Sequence, residues 1–293
     1  MTSELKNYFQ NKAELQIISI DGPRNYISVY QPFFIKNAPV IIIMPALGVK
    51  AAYYEPIAFE LQKSGYIVVS ADLRGTGKSS VKVSKKRNFG YHEMIAYDWP
   101  SIIEKVNIHF PNNKIYLLGH SLGGQLNVLY ASQHQKLING LILIASCSVY
   151  YKGWNFPRNI GVLAGTQLAN LLVRFLGYFP GKKIGFAATE AKNLMLDWSD
   201  NARTGKYKIR NSNINFEKDI KNIQLPILAI SFNKDNLSPQ KAVKLLISKI
   251  ENAQITQHHC NTENCNLNHF NWVKNNDLVI RHIHSWLKKY HNL

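Results

Sequence analysis

Residues 114–124 read KIYLLGHSLGG, and the rest of the chain arranges itself around them. Ile115, Tyr116, Leu117 and Leu118 make a continuously apolar run, as expected of a strand buried on both faces. A helical pattern over residues 122–133 begins directly after Ser121. The serine of Gly119-His-Ser-Leu-Gly123 therefore sits on a sharp strand-to-helix turn. Side chains at the two glycines would collide with the neighbouring strand and helix, and the serine backbone itself is strained. The helix that follows aims its first N–H groups and positive dipole end at any oxyanion forming beside the serine, Leu122 N–H first among them. Ser121 is the candidate nucleophile.

Working outward, apolar β-branched runs recur at residues 14–21, 25–33, 39–46, 67–73, 114–120, 140–146 and 226–232, with a weaker one at 254–259. Amphipathic stretches lie between them at 53–63, 93–107, 122–133, 239–250 and 272–290. This alternation predicts an α/β fold with a doubly wound, mostly parallel eight-stranded sheet. A Gly-Pro turn signal separates the first two runs, so they read as an antiparallel hairpin at the sheet edge. Residues 147–222 show no clear strand but two helical patterns, 160–176 and 187–198. A structureless loop of that length is foreign to compact domains, so the segment reads as a helical lid inserted between two parts of one core, 1–146 and 223–293. Internal repeats and low-complexity tracts are absent.

A serine hydroxyl needs a base to take its proton and an acid to orient the base. In the chain order that accompanies this kind of turn, both follow the serine. Asp235 stands on the loop between the run at 226–232 and the helix at 239–250; a turn-capping aspartate is the plainer explanation of such a residue, but its position is where the acid belongs. The candidate bases are His258, His259, His269, His282, His284 and His291. The base belongs on the loop after the last strand, and His269 in Asn268-His-Phe-Asn-Trp272 fits that place best. A second oxyanion donor is expected from the loop Pro45-Ala-Leu-Gly48, with Leu47 N–H as the candidate.

Together these segments resemble the α/β-hydrolase superfamily, and most closely a bacterial group of α/β hydrolases without a settled substrate. Pro45-Ala-Leu-Gly-Val49 is similar to that group's oxyanion loop, where most of the superfamily carries His-Gly. Asp72-Leu-Arg-Gly-Thr-Gly-Lys-Ser79 resembles the turn after the fourth strand, residues 119–123 the elbow, and residues 176–181 (LGYFPG) a lid segment. Ser231-Phe-Asn-Lys-Asp235 and His269-Phe270 match the acid and base segments. The resemblance covers nearly the whole chain and implies nucleophile, acid and base roles for Ser121, Asp235 and His269. Asn268 departs from the glycine usual in that group, so its loop is expected to differ in shape. The implied activity is hydrolysis of a carboxylic ester, or an amide or thioester, of a small or lipid-like acyl substrate, with no cofactor and no metal. The competing reading is a binding protein that keeps the fold without turnover.

Composition narrows the rest. The chain has 293 residues, 46% of them hydrophobic, enough to bury a sizeable core. No uninterrupted apolar run approaches the roughly 18 residues of a membrane span. The beginning, MTSELKNYFQNKAELQ, lacks the apolar centre of a secretory signal, and three cysteines suit a reducing compartment, so a cytoplasmic location is expected. Thirty-five basic and 18 acidic residues give a formal charge of +17. Residues 1–146 carry 15 basic against 9 acidic groups, 147–222 carry 12 against 5, and 223–293 carry 8 against 4. The excess is dispersed, and its densest run, KVSKKR at 82–87, has no interleaved aromatics, so nucleic acid is not expected as a partner. Peripheral contact with an anionic membrane is the weaker expectation left by the charge. A phosphate-binding loop at residues 72–79 is excluded because Asp72 stands where glycine is required. His258, His259, Cys260, Cys265 and His269 lack paired zinc-ligand spacing, and the cysteines read instead as free thiols on a polar loop and His269 as the base. Residues 150–154 (YYKGW) could line a substrate pocket or anchor the insertion equally well.

Overall fold

The computed structural model describes residues 12–32, 37–261 and 266–290. Its order begins with β1 (Lys12–Ile18), β2 (Arg24–Tyr30), β3 (Val40–Met44), α1 (Glu55–Lys63), β4 (Ile67–Ala71) and α2 (Trp99–His109). It continues with β5 (Ile115–His120), α3 (Leu122–His134), β6 (Gly140–Ile144), α4 (Arg158–Leu176), β7 (Tyr178–Pro180), β8 (Thr189–Ala191) and α5 (Lys192–Thr204). It closes with β9 (Ile227–Phe232), α6 (Gln240–Ile247), β10 (Ile255–Cys260) and α7 (Asp277–Tyr290).

Eight strands form one sheet in the order β1-β2-β4-β3-β5-β6-β9-β10. β1 and β2 pair antiparallel at the edge, β2 runs antiparallel to β4, and every later pairing is parallel. The central strands are buried along their whole length because helices cover both faces. Alternate residues of β3 divide between two cores. Val40, Ile42 and Met44 join α2, α3 and α6 through Ile102, Leu126 and Leu246, while Ile41 and Ile43 join α1 and α7 through Leu61 and Ile283. This is the doubly wound sheet expected from the sequence.

Three local differences have physical causes. The helix expected at 93–107 is broken by a wide turn over Met94–Asp98, where Trp99 N–H reaches back to the Met94 carbonyl. Pro100 has no N–H for the next regular bond, which is where the helix resets. The helix expected at 272–290 starts at Asp277, because Asn271–Val273 form a separate 3-10 turn, to whose Val273 carbonyl Asn276 Nδ2 donates at 2.9 Å. Residues 147–222, expected without strands, contain the antiparallel pair β7–β8, with Phe179 opposite Glu190. Strands of three residues are too short to leave a period in the sequence. Gly177, at φ 79°, ends α4 and turns the chain into this pair. The helix expected at 187–198 consequently begins only at Lys192.

The segment between β6 and β9 adds nothing to the main sheet. It holds together through Asn170 Nδ2, which donates to Ser199 Oγ at 2.7 Å, and an apolar cluster of Ala169, Val173, Phe179, Met195 and Leu196. Leu47 packs against that cluster, which ties the loop after β3 to the insertion. The cysteines are not all free thiols: Cys260 is disulfide-bonded, whereas Cys147 is free and buried. The end of the run expected at 25–33, Cys265 and His291 lie outside the described residues.

Candidate active site

Ser121 stands between β5 and α3 with φ 53° and ψ −114°, a conformation rare for any residue with a side chain. Its backbone N–H donates to the Ile144 carbonyl, and its carbonyl accepts from Gly124 N–H, so both neighbours hold the turn. The glycines are sterically obligatory. A Cβ on Gly119 would lie 2.3 Å from Gly124 Cα, and one on Gly123 would lie 2.2 Å from the Met44 carbonyl oxygen. The second contact also shows that the start of α3 rests directly on the end of β3. Leu122 N–H and Leu47 N–H thus belong to adjoining backbone segments, and neither has an intramolecular acceptor among the described residues.

Asp235 and His269 meet. His269 Nδ1 lies 2.8 Å from Asp235 Oδ2, with both residues buried. The other oxygen, Oδ1, accepts from Leu237 N–H at 2.9 Å and Ser238 N–H at 2.8 Å. These two bonds are the turn-capping role suggested for a lone loop aspartate, and here they aim the second oxygen at the histidine. Asn268 ties its loop together: its Oδ1 accepts from Phe270 and Asn271 N–H, and its own N–H donates to Asn271 Oδ1 at 2.7 Å.

The other histidines go elsewhere. His259 shares a hydrogen bond with Ser231 Oγ, His258 stacks on His282 with ring centres 3.9 Å apart, and His284 bonds the Tyr66 hydroxyl. Among the described residues only His269 contacts a carboxylate. The Ser121 hydroxyl has no hydrogen bond to His269 among the described residues. His269 is placed beside the elbow by packing instead, its ring centre 4.8 Å from that of His120.

His120 is a participant that sequence reasoning passed over. It is fully buried, and burial, with the neighbouring His269, holds its pKa far below the ordinary 6.5, so its ring is neutral. Its Nδ1 lies 2.7 Å from the Tyr54 hydroxyl, which in turn accepts from Ala46 N–H at 2.9 Å. Burial keeps Tyr54 protonated, so Tyr54 donates to His120 and the bonded ring nitrogen is the acceptor. One chain of hydrogen bonds therefore runs from the loop bearing Leu47 to the ring packed on His269. A Gly-His-Ser motif carries the residue, but no local spacing reveals its partner on a distant 3-10 turn.

Two cavities flank the loop after β9: Asn236 and Leu237 line both, and Asp235 lines only the larger. One, of about 390 Å³, is lined almost wholly by apolar groups including Leu168, Leu172, Phe179, Phe186, Trp198 and Leu237. The other is an open groove of about 1140 Å³ with Arg158, Lys241 and Asn233 on its walls. Trp154 borders both, and its Nε1 donates to the Asn236 carbonyl at 2.9 Å, so of residues 150–154 it is Trp154 that both anchors the segment and lines space beside it. Burial pushes the nearby Cys147 thiol up to about 12, which leaves it inert as a nucleophile. The phosphate-loop lookalike is closed by its own anion: Asp72 accepts from Ala51 and Lys78 N–H, and a Cβ at Gly77 would lie 2.0 Å from Asp72 Oδ2.

Comparison with known proteins agrees with this architecture. Lipase 1 of Psychrobacter immobilis is 24% identical over 278 residues, covering 87% of this chain and 80% of that enzyme. A proline iminopeptidase of Pestalotiopsis fici is 22% identical over 298 residues, covering 94% of this chain and all of that one. In structure, Est1E from Butyrivibrio proteoclasticus, solved with ferulic acid, superposes with a TM-score of 0.64 at 14% identity, covering 95% of this chain and 100% of that one. A family model described as serine aminopeptidase, S33, matches residues 36–262. The chain belongs to that hydrolase family, within the α/β-hydrolase superfamily.

Proposed function

We propose that the protein is a serine hydrolase of carboxylic esters with an apolar acyl group, working through an acyl-enzyme. Ser121 Oγ attacks the ester carbonyl carbon. His269 takes the proton at Nε2, since Nδ1 is engaged by Asp235, and returns it to the departing alkoxide as the C–O bond breaks. Asp235 holds the tautomer that makes this transfer productive. Leu47 and Leu122 N–H groups receive the oxyanion, worth about 3–4 kcal/mol per donor. Water, activated by the same histidine, then releases the acid and restores Ser121.

The observation that carries the reading is the 2.8 Å His269–Asp235 hydrogen bond beside a serine held at φ 53°. The apolar cavity favours an acyl group over a peptide N-terminus, because no charged side chain lines it among the described residues to hold an ammonium. In this reading the segment 147–222 serves as a lid over the site. The test is a series of p-nitrophenyl esters of increasing acyl length beside proline p-nitroanilide, with Ser121→Ala as control. Turnover of the esters, lost in the variant, is the expected result. Equal rates in both proteins would refute the mechanism, and faster cleavage of the anilide than of every ester would assign an aminopeptidase.

A further inference from the structure

α4 has two opposite faces. Thr166, Ala169, Asn170 and Val173 are buried against α5 and its surroundings. On the other side Ile160, Ala164, Leu168, Leu171 and Phe175 fall within an arc of about 80° at 100° per residue. This second face is not covered: Ile160 and Leu168 are each 57% exposed, Leu171 51% and Phe175 78%. Four large apolar side chains on one stripe of solvent-facing helix are far from the scattered single exposures of an ordinary surface. By length and composition α4 could cross a membrane, yet its hydrogen bonds to Ser199 and its packing on α5 fix it along the surface of the fold.

The end of this stripe is strongly basic. The run at 82–87 packs beside the C-terminus of α4, where Lys85 Cγ is 3.1 Å from the place a Gly177 Cβ would take. Lys85, Lys86 and Lys183 line one shallow groove with Tyr178 and Pro180, and Arg174 stands next to Leu171 on the helix. Among the described residues none of Lys85, Lys86, Arg174 and Lys183 is paired with a carboxylate. An aliphatic stripe that ends in unpaired cations matches a surface with an apolar interior and anionic headgroups. A second copy of the chain would bring another +17 to the contact, and a nucleic acid would leave the aliphatic stripe unused.

We propose that the exposed face of α4, with the lysines at its C-terminal end, docks the protein on an anionic lipid bilayer, α4 lying in the plane of the interface. This role does not depend on the reaction assigned to Ser121. The experiment is flotation of the whole chain with vesicles of phosphatidylcholine alone and with about 30 mol% phosphatidylglycerol. Partition into the anionic vesicles, weakening as salt rises, is expected. Ile160→Glu/Leu171→Glu/Phe175→Glu should reduce it at least about tenfold, with circular dichroism unchanged because each of the three side chains is more than half exposed. Lys85→Glu/Lys86→Glu/Lys183→Glu should abolish the preference for anionic over neutral vesicles. A Leu171→Trp variant supplies an independent reading: its emission should shift to the blue on adding anionic vesicles. Absent partition, partition untouched by the glutamates, or no shift at Trp would overturn the proposal. So would self-association of the parent that the glutamates abolish, which would give the face to a second copy, or retention by duplex RNA in preference to vesicles.

Discussion

Asp235 divides its carboxylate between two tasks, Oδ1 accepting from Leu237 and Ser238 N–H while Oδ2 meets His269 Nδ1 at 2.8 Å. The backbone bonds fix the direction of the second oxygen, so the histidine is held by a rigid acceptor. Asp235→Asn keeps the shape but offers an N–H where His269 needs an acceptor, or forces the imidazole into the other tautomer. Ester turnover should fall about 10³–10⁴-fold in kcat with little change in folding. A loss under tenfold would show that the pair is structural.

The loop carrying Leu47 depends on Tyr54. Removing the hydroxyl in Tyr54→Phe strips Ala46 N–H of its acceptor and His120 Nδ1 of its donor, both in a buried setting. Chemical denaturation should report a loss of about 1–3 kcal/mol. If Leu47 receives the oxyanion, kcat should fall while KM holds, because the loosened loop acts on the transition state. Unchanged stability and unchanged kcat would show that the hydrogen-bonded chain carries no strain from the loop to the site.

Gly48 is where that loop meets the insertion. Its φ is 73°, and a Cβ would lie 2.5 Å from Ala188 N. Gly48→Ala therefore meets backbone, which cannot rotate aside, and should cost about 2 kcal/mol through strain and displacement together. The melting temperature and the ester kcat should drop in step. A melting temperature equal to the parent's would separate the loop from the insertion.

Glu190, opposite Phe179 in the β7–β8 pair, is buried with a single acceptor contact, from Ala188 N–H at 3.2 Å. Burial pushes its carboxyl up from 4.5 to about 7. A carboxyl raised on folding favours the native state below its unfolded value, and that contribution is lost as pH climbs through about 7. Glu190→Gln should thus stabilise the chain relative to the parent at pH 8 by about 3 kcal/mol more than it does at pH 4. A pH-independent difference in melting temperature between the two proteins would contradict this.

The legible parts of the molecule were those written locally. Ile115 to Leu118 is a buried strand because both faces of the sheet are covered, and the glycines at 119 and 123 leave room that no other residue would leave. Asp235 was legible from its place after β9, and His269 from its place after β10. The β7–β8 pair was not, since three residues per strand carry no period. Nor was the Tyr54–His120 bond, which joins positions 66 residues apart. The bond at Cys260 escaped because a count of three cysteines argues only from parity and context. The charge of +17, dispersed along the chain, gained a location only when folding set the run at 82–87 beside the end of α4.

The central claim is that Ser121 is the nucleophile, and covalent labelling tests it most directly. The folded protein should react with a fluorophosphonate probe, and peptide mass spectrometry should find the adduct on Ser121. Ser121→Ala should not label, and Asp235→Asn should label far more slowly. A folded protein that fails to label, or one labelled equally in Ser121→Ala, would contradict the account.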